Sequence, residues 1–240
     1  MKKIDRLEFN SRVSELRFYI RCLRELETLL EIDRTNEYGR FLKKKIDGLE
    51  RKHKSEDLIE ILKANAYMIM YNLVEDTVRR IVSYIYTSIN KEHLSFSNFN
   101  DTYQKLIRKY TFNLNGNPTA QKVAKKSAKL INDILMDEDI NIVSDNFKLS
   151  GNANLKSIEK VCRDHKIPIT LDYVDKYKDQ LDNVKNVRNE LAHGRVGFVA
   201  ATHNKTVDDT YRCVQDIVVF LRYLMKKAEK LVNEKNYTKD

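Results

Sequence analysis

The chain has 240 residues, 42% hydrophobic and 33% charged, enough for one generous domain or two small ones around a packed core. Only 6 glycines and 2 prolines occur, which argues for long helices and against an all-β sandwich. The net charge of +9 either favours an anionic partner, nucleic acid first, or reflects lysines carried for solubility.

The start, "MKKIDRLEFN", is basic, but no apolar run follows it, so no signal peptide is expected. Periodicity places the first helix over residues 7–32, where Val13, Leu16, Ile20, Leu23, Leu26 and Leu30 recur at three- and four-residue steps. The next stretch, "DRTNEYGRFLKKKIDGLERKHKSED", reads as a basic connection with a short helix around Phe41 to Leu49. Ser55 offers an N-cap for the longest and most apolar helix, with Glu56 and Asp57 in its first turn and its end near Asn90. Ile61, Leu62, Ile69, Met70, Leu73, Val74, Val78, Ile81, Val82 and Ile85 cover more than one stripe of it, so it is expected at the centre. Asn72, Glu75 and Arg79 draw a polar line along this helix. They either pair with each other or a neighbouring helix, or border a functional cleft.

A short helix from Asn98 to Tyr110 is expected next, then a loop at "FNLNGNPTA", with Pro118 in the first turn of the following helix. That helix, to about Met136, is basic through Lys122, Lys125, Lys126 and Lys129. A loop at Ser150 to Asn154, a short helix to His165 and a break at Pro168 follow. One more helix starts near Leu171, capped by Thr170 or Asp172, and ends in "VRNELAHGRVGF". The last spans 207–233, with Val214, Ile217, Val218, Leu221 and Leu224 as its core face. No repeat or biased linker divides the chain. The expected fold class is all-α: one domain over 1–240, a bundle of about six to eight helices, with 96–169 an elaboration within it.

Several chemistries lack their residues. The cysteines, Cys22, Cys162 and Cys213, are far apart; there is no CxxC, no HExxH, no phosphate-binding glycine loop and no GxSxG. No metal site, no cofactor and no membrane span are therefore expected, and the location is expected to be cytoplasmic.

The end of the motif helix is the candidate site. With Arg188 at the origin and about 100° per residue, Asn189 lies near 100° and His193 near 140°. Leu181, Val184, Val187 and Leu191 fall between about 260° and 20° on the same wheel, so His193 is expected to point away from the core. Arg188 sits at the rim, where its stem packs and its head reaches out. Gly194 is placed to reverse the chain. An arginine and a histidine together can grip a phosphate and exchange a proton near neutral pH. The same residues also suit an ordinary helix stop.

"RNELAHG" after an amphipathic helix, in a basic all-helical chain, resembles the HEPN superfamily, whose signature is an arginine, four to six residues, then a histidine. "ILKANAYMIMYNLVEDTVRRIVSYIY" and "KLSGNANLKSIEKVCRDHKI" are similar to segments of stand-alone prokaryotic HEPN proteins linked to phage defence and toxin systems. The resemblance implies a helical bundle that forms a homodimer with a composite active site, and a metal-independent endoribonuclease leaving a cyclic phosphate and a 5′-hydroxyl. It implies Arg188, Asn189 and His193 as catalytic residues; Arg195, Glu75 and Arg79 are nominated as substrate contacts. RNA is the expected partner, together with an antitoxin or defence-system protein. Some family toxins carry a tyrosine two residues after the histidine; Arg195 stands there in this chain, which puts that form of silencing in doubt. The alternative is a non-catalytic helical module that binds RNA, a nucleotide or a protein.

Overall fold

The computed structural model describes residues 2–31, 37–112, 119–143 and 153–239. These form α1 (Leu7–Glu31), α2 (Glu37–Asp47), α3 (Ser55–Asn90), α4 (Asp101–Phe112), α5 (Ala120–Leu135), α6 (Leu155–Asp164), α7 (Leu171–Val174), α8 (Lys178–Ala192), α9 (Phe198–Ala201) and α10 (Val207–Asn233). Short 3-10 turns occur at Phe96–Asn98 and Asp175–Tyr177. Among the described residues the only extended pairing is two isolated bridges, Ser95 with Asp139 and Phe99 with Thr238, so the expected all-α class holds. The expected ends at Ile32, in the loop before Thr119 with Pro118, and at 150–152 lie outside the described residues.

The chain divides into two compact units. One holds residues 6–74 and 176–220: α1, α2, the first part of α3, α8, α9 and the first part of α10. Its core contains Phe9, Val13, Leu16, Ile20 and Leu23 of α1, which keep the predicted periodicity. Ile20 and Leu23 cluster with Ala66 of α3 and Val207 of α10, with Tyr19, Ile59, Leu62 and Tyr211 packed around them. Tyr19 also donates its hydroxyl proton to the Leu62 carbonyl at 2.7 Å, which satisfies its one polar atom inside an apolar contact. α2 crosses close to the Leu29 carbonyl at Gly39, where a side chain would collide with that oxygen.

The other unit holds residues up to 5, 75–175 and 221 onward: the second part of α3, α4 to α7 and the end of α10. The stretch 96–169 falls wholly within it. At its centre the 1% exposed His165 accepts from the Tyr86 hydroxyl at Nε2 (2.6 Å) and donates from Nδ1 to the Val161 carbonyl (2.8 Å). Tyr103 donates to the His165 carbonyl at 2.9 Å. Burial holds this imidazole below the ordinary histidine pKa, against an opposing contribution from the Val161 carbonyl.

Predicted boundaries shift: the helix read over Phe41 to Leu49 is α2, the one read over Asn98 to Tyr110 is α4, and two further shifts have clear causes. The cap of α3 is Lys54, not Ser55: the Lys54 carbonyl accepts from Leu58 at 3.2 Å and its amide donates to Asp57 Oδ2 at 3.0 Å, as in half of a capping box. The Ser55 amide is drawn instead to Asp47 Oδ1 at 2.7 Å. The motif helix does not run unbroken from Leu171; α7 ends at Val174, a 3-10 turn intervenes, and α8 begins at Lys178. Aromatic docking accompanies the break: Tyr173 packs on Tyr223 with centroids 4.3 Å apart, and Tyr177 on Phe220 at 5.6 Å.

Candidate functional site

α8 carries the motif. Leu181, Val184 and Val187 are buried at three-residue steps and anchor one face. Its N-cap, Tyr177, gives no side-chain cap, and Asp179 supplies the negative charge that suits a helix start. The helix stops by a Schellman closure. The Arg195 amide donates to the Glu190 carbonyl at 2.9 Å, and the Gly194 amide to the Leu191 carbonyl at 3.1 Å. Gly194 has φ +63°, a left-handed conformation that a side chain would strain.

His193 is therefore the C-cap residue, and its amide still donates to the Asn189 carbonyl at 3.1 Å. Its side chain is exposed, as the helical wheel predicted. Among the described residues no hydrogen bond to the imidazole occurs.

Arg188 is held more firmly. It is half-buried, with its guanidinium carbon 4.6 Å from the centroid of the Tyr71 ring on α3. Nη1 donates to Asn189 Oδ1 at 3.1 Å. Tyr71 is 1% exposed, so the ring is a fixed seat and not a mobile lid. The guanidinium thus has one face on an aromatic ring and one N–H on an amide, and among the described residues no further hydrogen bond or ion pair holds it. Sequence reading missed Tyr71. It lies in an apolar helix where an aromatic reads as core, and only a contact between α3 and α8 reveals its second use.

A second long-range tie holds the segment after the motif. Lys63 of α3, 4% exposed, donates to Glu60 Oε1 at 2.7 Å, to the Thr202 carbonyl at 3.4 Å and to the Lys205 carbonyl. Thr202, fully buried, donates back to Glu60. A buried ammonium surrounded by acceptors keeps its charge satisfied and pins residues 202–205 to α3.

Of the residues nominated from sequence, the structure brings Arg188 and Asn189 into contact, with His193 one turn on. Arg195 is exposed directly beyond Gly194. Glu75 and Arg79 belong to the other unit, where they close an ion pair with each other one turn apart on α3. Asn72 is exposed. Among the described residues no group of three or more His, Cys, Asp or Glu side chains is placed to hold a metal ion, and no helix is long and apolar enough to cross a membrane.

An all-helical chain that presents arginine, asparagine and histidine at the C-terminal edge of one helix defines a HEPN-type protein. The HEPN_MAE_28990-like HEPN family model matches residues 5–237, and the chain belongs to that family. No curated protein and no solved structure matches it.

Proposed function

We propose that this chain is an endoribonuclease that cuts RNA by attack of the substrate's own 2′-hydroxyl. The observation that carries the reading is the pair of states at the end of α8: a guanidinium seated on Tyr71 and Asn189, and an imidazole left open to solvent beside it. In the reaction the 2′-oxygen gives up its proton and bonds to phosphorus, and the bond to the 5′-oxygen breaks. The 5′-oxygen takes a proton, leaving a cyclic phosphate and a 5′-hydroxyl. His193 acts as the acid or the base, and Arg188 opposes the charge that grows on the phosphate oxygens. Asn189 orients the guanidinium. Arg195, directly beyond Gly194, is proposed as an outer substrate contact. A homodimer with a composite site would supply acid and base from two imidazoles. The biological setting that fits is a toxin or antiphage effector held in check by an antitoxin or a defence-system protein.

Incubating RNA with the purified protein in EDTA, followed by end-group analysis, tests the reading. Wild type is expected to leave cyclic phosphate and 5′-hydroxyl ends, and His193→Ala to lose at least about a hundredfold in rate. Unchanged cleavage by His193→Ala removes that residue from the mechanism. A second reading, RNA binding without cleavage, is favoured by the exposed Lys122, Lys125, Lys126 and Lys129 on α5; it predicts salt-sensitive affinity and intact RNA.

A further inference from the structure

Residues 139–143 form an extended segment with one edge in use and one idle. Burial alternates along it: Ile140 and Ile142 are buried, while Asp139, Asn141 and Val143 are exposed. One edge is paired with the end of α3 and the turn after it. The Ile140 amide donates to the Leu94 carbonyl at 2.8 Å. The Asn90 side chain meets Ile142 as a neighbouring strand would, accepting from its amide at 2.9 Å and donating to its carbonyl at 3.0 Å. Successive peptide groups of an extended chain point to opposite edges, so the Asn141 amide and carbonyl face the other way. Among the described residues neither has a hydrogen-bond partner.

The idle edge opens on a cavity of about 220 Å³. All of residues 139–143 line it. A cavity over one face of the segment would meet only every second residue, so this one runs along the edge. Its opposite wall is α5, through Lys126, Lys129 and Asp133. Ile107 of α4 and Leu130 of α5 make an apolar floor with Ile140 and Ile142, all four buried. The volume lies below the roughly 300–1,000 Å³ of pockets for drug-sized ligands, which is too small for a cofactor. It suits an extended backbone with one apolar side chain turned inward.

Charge gives the occupant a direction. Lys126 and Lys129 stand toward one end of the helical wall, and Asp133 lies about 10 Å from Lys126 along the axis. Among the described residues none of the three has an ion-pair partner, whereas the Asp139 carboxylate is already taken by His93 at 2.7 Å. We propose that this groove docks an extended peptide of a partner protein. The peptide pairs with Asn141 as an added strand, sets an aliphatic side chain on the apolar floor and brings an acidic residue to Lys126 and Lys129. Nucleic acid fits the groove less well: it would use Lys122 and Lys125 equally, neither of which lines the cavity, and it has no use for a strand edge or an aliphatic floor. None of these residues lies on α8, so the proposal stands whether or not the chain cuts RNA.

Selecting short peptides from a random display library on the intact protein, then synthesising the most enriched one with a fluorescent label, tests the site. Enriched sequences are expected to carry Asp or Glu beside Val, Ile or Leu, and no proline. In fluorescence anisotropy Lys126→Glu with Lys129→Glu should weaken binding at least about tenfold, and Lys122→Glu with Lys125→Glu at most about threefold. Asn141→Pro removes the outward amide without breaking a hydrogen bond within the chain, and should weaken binding about tenfold while the circular dichroism spectrum stays unchanged. N-methylating the peptide one residue at a time reads the pairing without touching the protein. Alternate positions should lose about tenfold in affinity and those between them should keep it. No enrichment, binding that ignores the groove variants, or losses that do not alternate along the peptide would overturn the proposal. So would equal weakening by both lysine pairs together with displacement by an oligomer of 2′-O-methyluridine, which would assign α5 to nucleic acid.

Discussion

Two glycines three residues apart make opposite predictions. Gly194 has φ +63°, and a Cβ built on it meets nothing within 4 Å. An alanine there suffers no collision, only the backbone penalty of the left-handed region, about 1–2 kcal/mol. Gly197 has φ −79° and ψ 163°, and a Cβ there also meets nothing within 4 Å. That conformation is open to any residue, so alanine restricts the unfolded chain and, less a small loss because glycine is the better N-cap for α9, stabilises by up to about 0.4–1 kcal/mol. At roughly 2–4 °C per kcal/mol for a chain of this size, Gly194→Ala should melt about 2–8 °C lower and Gly197→Ala up to about 4 °C higher. Gly194→Asn should recover much of the loss, since asparagine tolerates the left-handed region. Thermal unfolding followed by circular dichroism reads all three. If Gly194→Ala melts with the wild type, or Gly197→Ala falls as far as Gly194→Ala, the Schellman account of the helix stop is wrong.

Two more tests concern buried ionisable groups. His165 is held neutral, so its folded pKa lies below its unfolded value near 6.5 and the unfolded chain takes the proton first as pH falls. Its contribution is full above about pH 6.5 and is lost below it, by at most about 1.4 kcal/mol per pH unit. Urea midpoints between pH 8 and 5 should fall for wild type and flatten in His165→Gln; equal slopes would clear His165 of the effect. Lys63→Met removes the ammonium from Glu60 Oε1 and from the Thr202 and Lys205 carbonyls, and should cost about 2–4 kcal/mol in urea unfolding, with faster amide exchange across 198–206. Exchange there at the wild-type rate would mean that the segment is held by something else.

The long elements were legible because burial wrote a helical period into them. α10 runs over 207–233 as read, and its start carries a Thr206–Asp209 capping box, with Asp209 Oδ2 accepting the Thr206 amide at 3.1 Å. Gly194 and the outward His193 were readable because a helix stop is local chemistry. The break before α8 was not: no glycine or proline marks 175–177, and the aromatic partners lie on α10. Ser55 misled because a competing acceptor, Asp47, sits eight residues upstream in another helix. α9 left no signal, since four residues are too few to show a period. The seat of Arg188 and the anchor at Lys63 both join residues more than a hundred positions apart, and a linear pattern carries no record of such meetings.

The Schellman closure gives His193 an unusual anchorage. A mid-helix side chain shifts with the rod as a whole, but this one stands where the rod ends and the glycine hinge begins. Its backbone is clamped by its own amide and by the Gly194 and Arg195 amides just beyond it. Fraying a single turn would swing the imidazole away while leaving Arg188 on its aromatic seat. Heat, a neighbouring protein or a mutation at the hinge thus has a way to uncouple the two groups without unfolding either.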